Sequence, residues 1–433
     1  MRAALPVLPV AALIGAAALP AGAAGAEGGA TPADAVSGLV VAGCAVRLLR
    51  LRRRPLSRTA AVVLGLPVAG VAVAAAGAVG AVAPAVGLTG LVRCLQVFVL
   101  VPAAVLLLVR DRRDLRLVAW SLVGLALWQG AVGVRQYATG TGASYRGEEI
   151  RAVGTFGAGD VMGMATVVSF GVVAAVGLAL GPGPVRRRAV AAGCALVLLA
   201  PLAVSFSRGA WIATAVTCAA QLLLAGARRA VRVFAAAAAV CVVLVGGFGA
   251  GGALLQERVA SITRVADAPD QSVTDRYTMW AAAAGMWAER PLTGVGLKAF
   301  PEYRDGHASL ALSSGSDTDG AGASFRRQPL LSPHNMYLLV LAEQGLLGLL
   351  ALAGGWLALL VCGLRRLVRV RRAPHPCGRG SGLDCALVGC GLLLWQLVDF
   401  AYADIGGPST VLTAVVLGVA AWWALAPGEE APR

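Results

Sequence analysis

The chain has 433 residues, of which 58% are hydrophobic and only 14% charged, with 56 glycines and a formal charge of +15. So little polar surface excludes a cytosolic enzyme, a secreted disulfide module and a disordered chain. Long apolar runs without alternation of apolar and polar residues exclude an outer-membrane barrel.

From the N-terminus onward, apolar runs recur that are long enough to cross a hydrocarbon core of about 30 Å. They predict an all-α polytopic transmembrane bundle of about twelve spans, near 5–24, 34–50, 59–83, 86–109, 115–135, 159–181, 189–206, 209–227, 230–252, 335–363, 383–400 and 408–426. The first run ends in small residues around Ala21 to Ala26, as a signal peptide does, but one basic residue precedes it and further spans follow. It is therefore read as a retained helix, the weakest of the set because of Pro6, Pro9 and Pro20.

Arginine clusters at Arg47 to Arg58, Arg110 to Arg116, Arg186 to Arg188, Arg228 to Arg232 and Arg365 to Arg379 fall in alternate loops. With Arg2 and Arg433 they put 24 of the 37 basic residues on one side of the membrane, against five acids. The positive-inside rule makes that side cytoplasmic. The charge is then a topology signal that also suits anionic lipid of the bilayer, and no interleaving of basic and aromatic residues points to nucleic acid. Both termini lie inside on this reading, and 253–334 is one large extracytoplasmic loop with short surface helices. Every cysteine except Cys377 falls in a predicted span, so no disulfide is expected. His375 and Cys377 lack the second pair that a zinc site needs.

The outward segments carry the unusual residues: Arg151 to Phe156, Ser205 to Gly209, Asp275 to Tyr277, Arg290 to Gly296 and Ser332 to Asn335. Residues 271–290 predict an amphipathic helix at the membrane surface, with Val273, Tyr277, Trp280, Ala284 and Trp287 on one face. Ser272 and Asp275 form a capping box for it, and Arg290-Pro291 ends it. The stretch from Asp305 to Ala323 is rich in Ser, Gly and Asp and reads as a mobile linker. Its Asp317-Thr-Asp319 has the spelling of a metal motif, but a flexible stretch is a poor place for one and no metal is expected.

Ser332 as N-cap and Pro333 as first helical residue would start the tenth span, setting His334 beside the positive end of a helix. That environment keeps an imidazole neutral, as a general base requires. Eleven residues on, Gly345 returns to nearly the same helical face, and Gly345 with Gly348 leaves room for another helix or a lipid chain. Arg208 follows a capping Ser207 at the outer start of the eighth span, and Arg276 sits in the first turn of the surface helix. Arginine forks bind phosphate oxygens and helix N-termini add N–H donors, so the two suit a diphosphate. Each residue also has a plainer reading: the arginines as partners of lipid headgroups, His334 as an interfacial polar residue, the glycines as helix packing.

His334-Asn335, nine further residues and Gly345-Leu-Leu-Gly348 together resemble the signature of the O-antigen ligase and O-antigen polymerase superfamily. Ser207-Arg-Gly-Ala-Trp211 resembles that family's serine-arginine-glycine segment. Arg276, with Trp280 one turn later and then Arg290 to Leu297, resembles its large-loop motif, and Arg151 to Phe156 its earlier outer loop. Two positions depart: Asp160 stands where asparagine is common, and Lys298 where a small or polar residue is usual. The resemblance runs from about residue 151 to 355 and divides the chain into N-terminal transmembrane helices 1–150, a ligase-like core 151–355 and C-terminal helices 356–433.

The resemblance implies a metal-independent, inverting glycosyltransferase without a cofactor, at the outer face of the cytoplasmic membrane. Its donor would be a glycan on undecaprenyl diphosphate and its acceptor a hydroxyl of a glycan, lipid or protein. Arg208 and Arg276 would hold the diphosphate and His334 would act as base, with Arg151, Asn335, Gly345 and Gly348 as substrate contacts. A transporter or permease is the alternative from another class, and would need charge at mid-membrane, where Glu343, Asp399 and Asp404 are the candidates. A protein O-oligosaccharyltransferase would use the same catalytic set.

Overall fold

The computed structural model describes residues 6–20, 30–51, 56–77, 84–145, 151–157, 160–233, 235, 271–309, 312, 316–320, 327–328, 330–372 and 382–426. In order, the helices are α1 Leu8–Ala16, α2 Pro32–Leu51, α3 Arg58–Gly77, α4 Pro84–Leu95, α5 Val101–Leu108, α6 Arg112–Thr139 and α7 Gly163–Leu180. Then come α8 Val185–Ala203, α9 Arg208–Ala225, α10 Gln271–Glu289, α11 Phe300–His307, α12 Met336–Arg372, α13 Leu383–Asp399 and α14 Thr410–Leu425. A π-helical turn, Gln96–Leu100, joins α4 to α5 in one continuous rod.

Among the described residues, seven helical segments are long and apolar enough to cross a membrane, where the sequence suggested about twelve. They are α2, α3, the α4–α5 rod, α6, α7, α9 and α12. The shortfall has identifiable causes. Helix α1 has 9 residues, α13 has 17 and α14 only 16, and α8 carries Arg186, Arg187 and Arg188 in its first turn. The predicted span at 230–252 lies almost wholly outside the described residues. Although short, α1 is buried in the bundle: Val10 and Leu13 are fully covered, and Gln129 of α6 donates to the Ala17 carbonyl at 3.0 Å, satisfying a helix-end acceptor.

Helix α7 is the centre of the bundle, buried along almost its whole length between α6, α8, α9 and α13. Lipid is as apolar as a leucine core, so close backbone approach and interhelical hydrogen bonds decide the packing. A Cβ on Gly171 would lie 2.2 Å from Ala126, and one on Gly418 2.5 Å from Val105. Between α7, α9 and α13, Trp395 donates to Thr214 at 2.9 Å, Thr214 to Ser169 at 2.9 Å, and Gln221 to the carbonyls of Val173 and Leu387 at 3.0 Å. Charge enters the helices at more positions than the three candidates noted in the sequence. Arg116 of α6 grips Asp384 of α13 with bonds of 2.5 and 3.1 Å, and Arg93 of α4 pairs with Asp34 of α2.

Helix α12 is not one rod. Gly345 stands at φ 67° and ψ −169°, which breaks the helix. Tyr337 and Trp356, on opposite sides of the break, have ring centroids 6.2 Å apart. On a straight helix rising ~1.5 Å per residue their backbones would stand roughly 28 Å apart, so the two halves fold back on each other as a V. Both limbs meet Phe400: the Met336 N–H donates to its carbonyl at 2.8 Å, and Trp356 packs on its ring at 5.0 Å. Residues 336–344 therefore climb from the Phe400 level to the break, and 346–372 descend along α3, where Ala351 and Gly348 face Gly70.

A small antiparallel sheet joins the outer segments, in the order β1 Ala143–Tyr145, β2 Ser316–Gly320 and β3 Arg327–Gln328, with Ala143 opposite Gly320. The expected mobile linker from Asp305 to Ala323 thus contains the end of α11 and the strand β2. Strand pairing is a backbone property that a Ser/Gly/Asp composition hides.

Candidate functional site

Helix α10 forms where the 271–290 pattern places it, but it buries a different face. Asp275, Met279, Ala282, Ala283 and Met286 are covered, whereas Tyr277 is 60% exposed and Trp280 and Trp287 are half-covered. The aromatic stripe predicted from the sequence thus lies away from the covered face, with Tyr277 the most exposed of its rings. The buried face meets Val295, Ala299, Phe300, Leu330 and Ala342 in a small apolar core separate from the bundle's. Ala342 belongs to the first limb of α12, so that limb is part of the loop structure.

The break at Gly345 is stitched to the Arg290 to Gly296 turn. Leu346 N donates to the Pro291 carbonyl at 2.8 Å and Leu347 N to Leu292 at 3.2 Å. In return Val295 N donates to Ala342 at 2.9 Å and Gly296 N to Glu343 at 3.0 Å. The backbone groups freed by breaking the helix are thereby satisfied, as burial demands. A Cβ on Gly345 would lie 2.3 Å from the Leu292 carbonyl, and one on Gly294 2.4 Å from the Glu343 carbonyl carbon. These glycines are where two backbones cross. Gly348 lies three residues beyond, against Gly70. The expectation that Gly345 shares a helical face with His334 fails, because that reading needs an unbroken helix through both.

His334 precedes α12 with φ 49°, one of three non-glycine residues with positive φ among the described residues; the others are Phe206 and Lys298. All three lie in segments that connect helices, and such backbones cost free energy that the surroundings must hold. The expected cap is replaced. Asn335, not Ser332, caps α12: its Oδ1 accepts from Leu338 N at 3.1 Å while its Nδ2 donates to the Ala401 carbonyl at 3.1 Å. Ser332 instead donates to the Asp404 carboxylate. Trp280 of α10 donates to the Pro333 carbonyl at 2.8 Å, pinning the residue before His334.

The segment 399–409 between α13 and α14 is the hub, and the sequence reading did not single it out as part of the site. It receives Met336 N at the Phe400 and Ala403 carbonyls, Asn335 at Ala401, Ser332 at Asp404 and Arg93 at the Gly407 carbonyl. Ser409 N donates to Asp160 at 2.9 Å, which ties the start of α7 to the same segment. Asp404 and Arg276 both act on the His334 imidazole. Burial lowers its pKa below the ordinary 6.5, Asp404 opposes that, and Arg276 adds to the lowering.

Arg276 thus lies within electrostatic range of His334. Arg208 lies across the hub: its side chain is exposed at the N-terminus of α9, where Ser207 caps Ala210 N at 3.3 Å, and the adjoining Gly209 packs against Tyr402. Arg151 is held by exchanged backbone bonds with Ala143, of 2.7 and 2.9 Å, and Ala152 N donates to Val204 in the turn that leads to Arg208. Gln136 fastens this outer loop by accepting from Val153 N and Gly154 N at 3.1 and 2.9 Å. Glu343 accepts from the backbone N–H groups of Phe300 and Lys298, so it serves the loop structure.

A bundle of apolar helices with a polar cluster gathered where its connecting segments meet is the class these features define. Residues 192–353 match the model of the O-antigen ligase family. The matched segment runs from α8 into α12 and contains Arg208, Arg276, His334, Asn335, Gly345 and Gly348. It supports placing the chain in the O-antigen ligase superfamily that its motifs resemble, and so suggests glycan transfer in a membrane. No curated protein matches the chain.

Proposed function

We propose that the chain is a glycosyltransferase of the outer face of the cytoplasmic membrane, moving a glycan from undecaprenyl diphosphate to an acceptor hydroxyl as a ligase or polymerase. The observation that carries this reading is a half-buried His334 on which Asp404 and Arg276 both act, beside a loop structure that lies within the family match. Residues 151–355 would be the catalytic core, framed by 1–150 and 356–433. The lowered pKa keeps the imidazole neutral, free to accept the acceptor's hydroxyl proton. The new bond forms between the acceptor oxygen and the anomeric carbon, with inversion. The bond from that carbon to the phosphate oxygen breaks, and its electron pair stays on the leaving diphosphate. Arg276 and Arg208 would offset the charge that gathers there, with no metal in that role. Arg151 would steer the donor toward Arg208. Asn335 would serve the substrate by fixing the backbone beside His334, and Gly345 and Gly348 by shaping the break that returns α12 to the bundle.

Transport is the weaker reading, because several charged residues within the helices are engaged: Arg116 with Asp384, Arg93 with Asp34, and Glu343 with the backbone at 298–300. The test is reconstitution of the purified protein in vesicles with an undecaprenyl-diphosphate oligosaccharide, a hydroxyl acceptor and a chelator. The proposal expects glycan to appear on the acceptor. Movement of the intact lipid-linked glycan between leaflets without transfer would favour transport, and a requirement for divalent metal would reject the metal-free mechanism.

A further inference from the structure

Tyr402 stands in the hub between contacts that lead to both halves of the site. On one side it packs on the start of α9, where a Cβ on Gly209 would lie 3.1 Å from its Cβ and 3.4 Å from its Cγ. Arg208 is the residue before. On the other side, two residues along, Asp404 accepts from Ser332 and acts on His334. The backbone of Tyr402 is fixed, its N–H donating to the Asp399 carbonyl at 2.7 Å, and the side chain is half-buried.

The chemistry of the proposed reaction, on which this inference rests, dictates what must lie in that position. The first sugar of the donor is bonded to the diphosphate at one atom and attacked at that same atom by the hydroxyl that His334 deprotonates. It therefore occupies the space between the arginines and the imidazole. An aromatic ring offers the face of a sugar what a charged or aliphatic side chain does not: a flat apolar surface whose negative π face attracts the slightly positive C–H groups of a pyranose. We propose that the Tyr402 ring is the platform on which the first sugar of the donor rests, making it a specificity residue for the glycan and not for the diphosphate.

The test uses the full chain in nanodiscs and two probes, undecaprenyl diphosphate and the same lipid carrying one N-acetylhexosamine, with binding of each measured directly. Tyr402→Ala is expected to weaken the sugar-bearing lipid by about fivefold, which corresponds to roughly 1 kcal/mol, and to leave the sugar-free lipid unchanged. Tyr402→Phe keeps the platform and is expected to bind both lipids as the wild type does. Equal loss for both lipids in Tyr402→Ala would show that the residue only supports the turn, and no loss for either would show that it touches no sugar. Either result overturns the proposal. Failure of the proposed function looks different: a wild type that binds both lipids and transfers nothing.

Discussion

His334 is held with a left-handed backbone by contacts on either side, Trp280 at Pro333 and Asn335 at Ala401. A lowered imidazole pKa means that the proton is taken up only at lower pH, so the base form persists as pH falls through 6.5 and is lost below it. The acid limb of a kcat/KM profile should therefore fall below pH 6.5. Arg276→Gln removes a cation that lowers the pKa, and its residual activity should show the acid limb moved to higher pH. An unchanged limb would mean that Arg276 does not act on the base. Arg276→Lys should restore donor binding only in part, since a point charge lacks the bidentate fork. The sequence pointed to His334 but misplaced its surroundings, because Ser332-Pro333 and Asn335 are rival helix starts a few residues apart. The choice between them was made by Asp404, 72 positions from Ser332, which no local pattern contains.

At the scale of elements, the break in α12 separates two kinds of glycine. Gly345→Ala places a side chain at φ 67° and drives its Cβ onto the Leu292 carbonyl. Left-handed strain alone costs about 1–2 kcal/mol, and the clash adds to it. Thermal unfolding in detergent should show a clear loss of stability, with loss of transfer. Gly354→Ala, in the same helix with nothing within 4 Å of the added carbon, should leave stability unchanged or raise it, by up to about 1 kcal/mol of helix propensity. Equal effects would contradict the stitched break. Asp384→Ala leaves Arg116 without its buried partner between α6 and α13 and is expected to destabilise by roughly 3–5 kcal/mol, less for the paired change Arg116→Met with Asp384→Leu. The helices themselves were legible because an apolar run of span length has few other fates. The reversal at Gly345 was not, since a glycine inside an apolar run reads equally as close packing. The face of α10 was misjudged for a related reason: the conspicuous aromatics line the outside, while Met279, Ala283 and Met286 fill the core.

For the molecule as a whole, the alternating arginine clusters are the readable signal, and by the positive-inside rule they would place 253–334 opposite 364–382. In a cysteine-free background, Ser316→Cys should react with an impermeant thiol reagent in intact cells and Arg379→Cys should not. The reverse pattern would turn the site inward and end the proposal. What the sequence left dark is long-range: the hub at 399–409 gathers the start of α7, the start of α12 and Arg93 of α4, and its residues carry no motif of their own. This gathering would make His334 a base for glycan transfer. The most direct test of that claim sets donor binding beside single-turnover transfer for His334→Ala. A base acts on the acceptor, so transfer should fall by ~10²–10⁴-fold while affinity for undecaprenyl-diphosphate glycan stays at the wild-type value. Transfer at the wild-type rate by His334→Ala would contradict the claim.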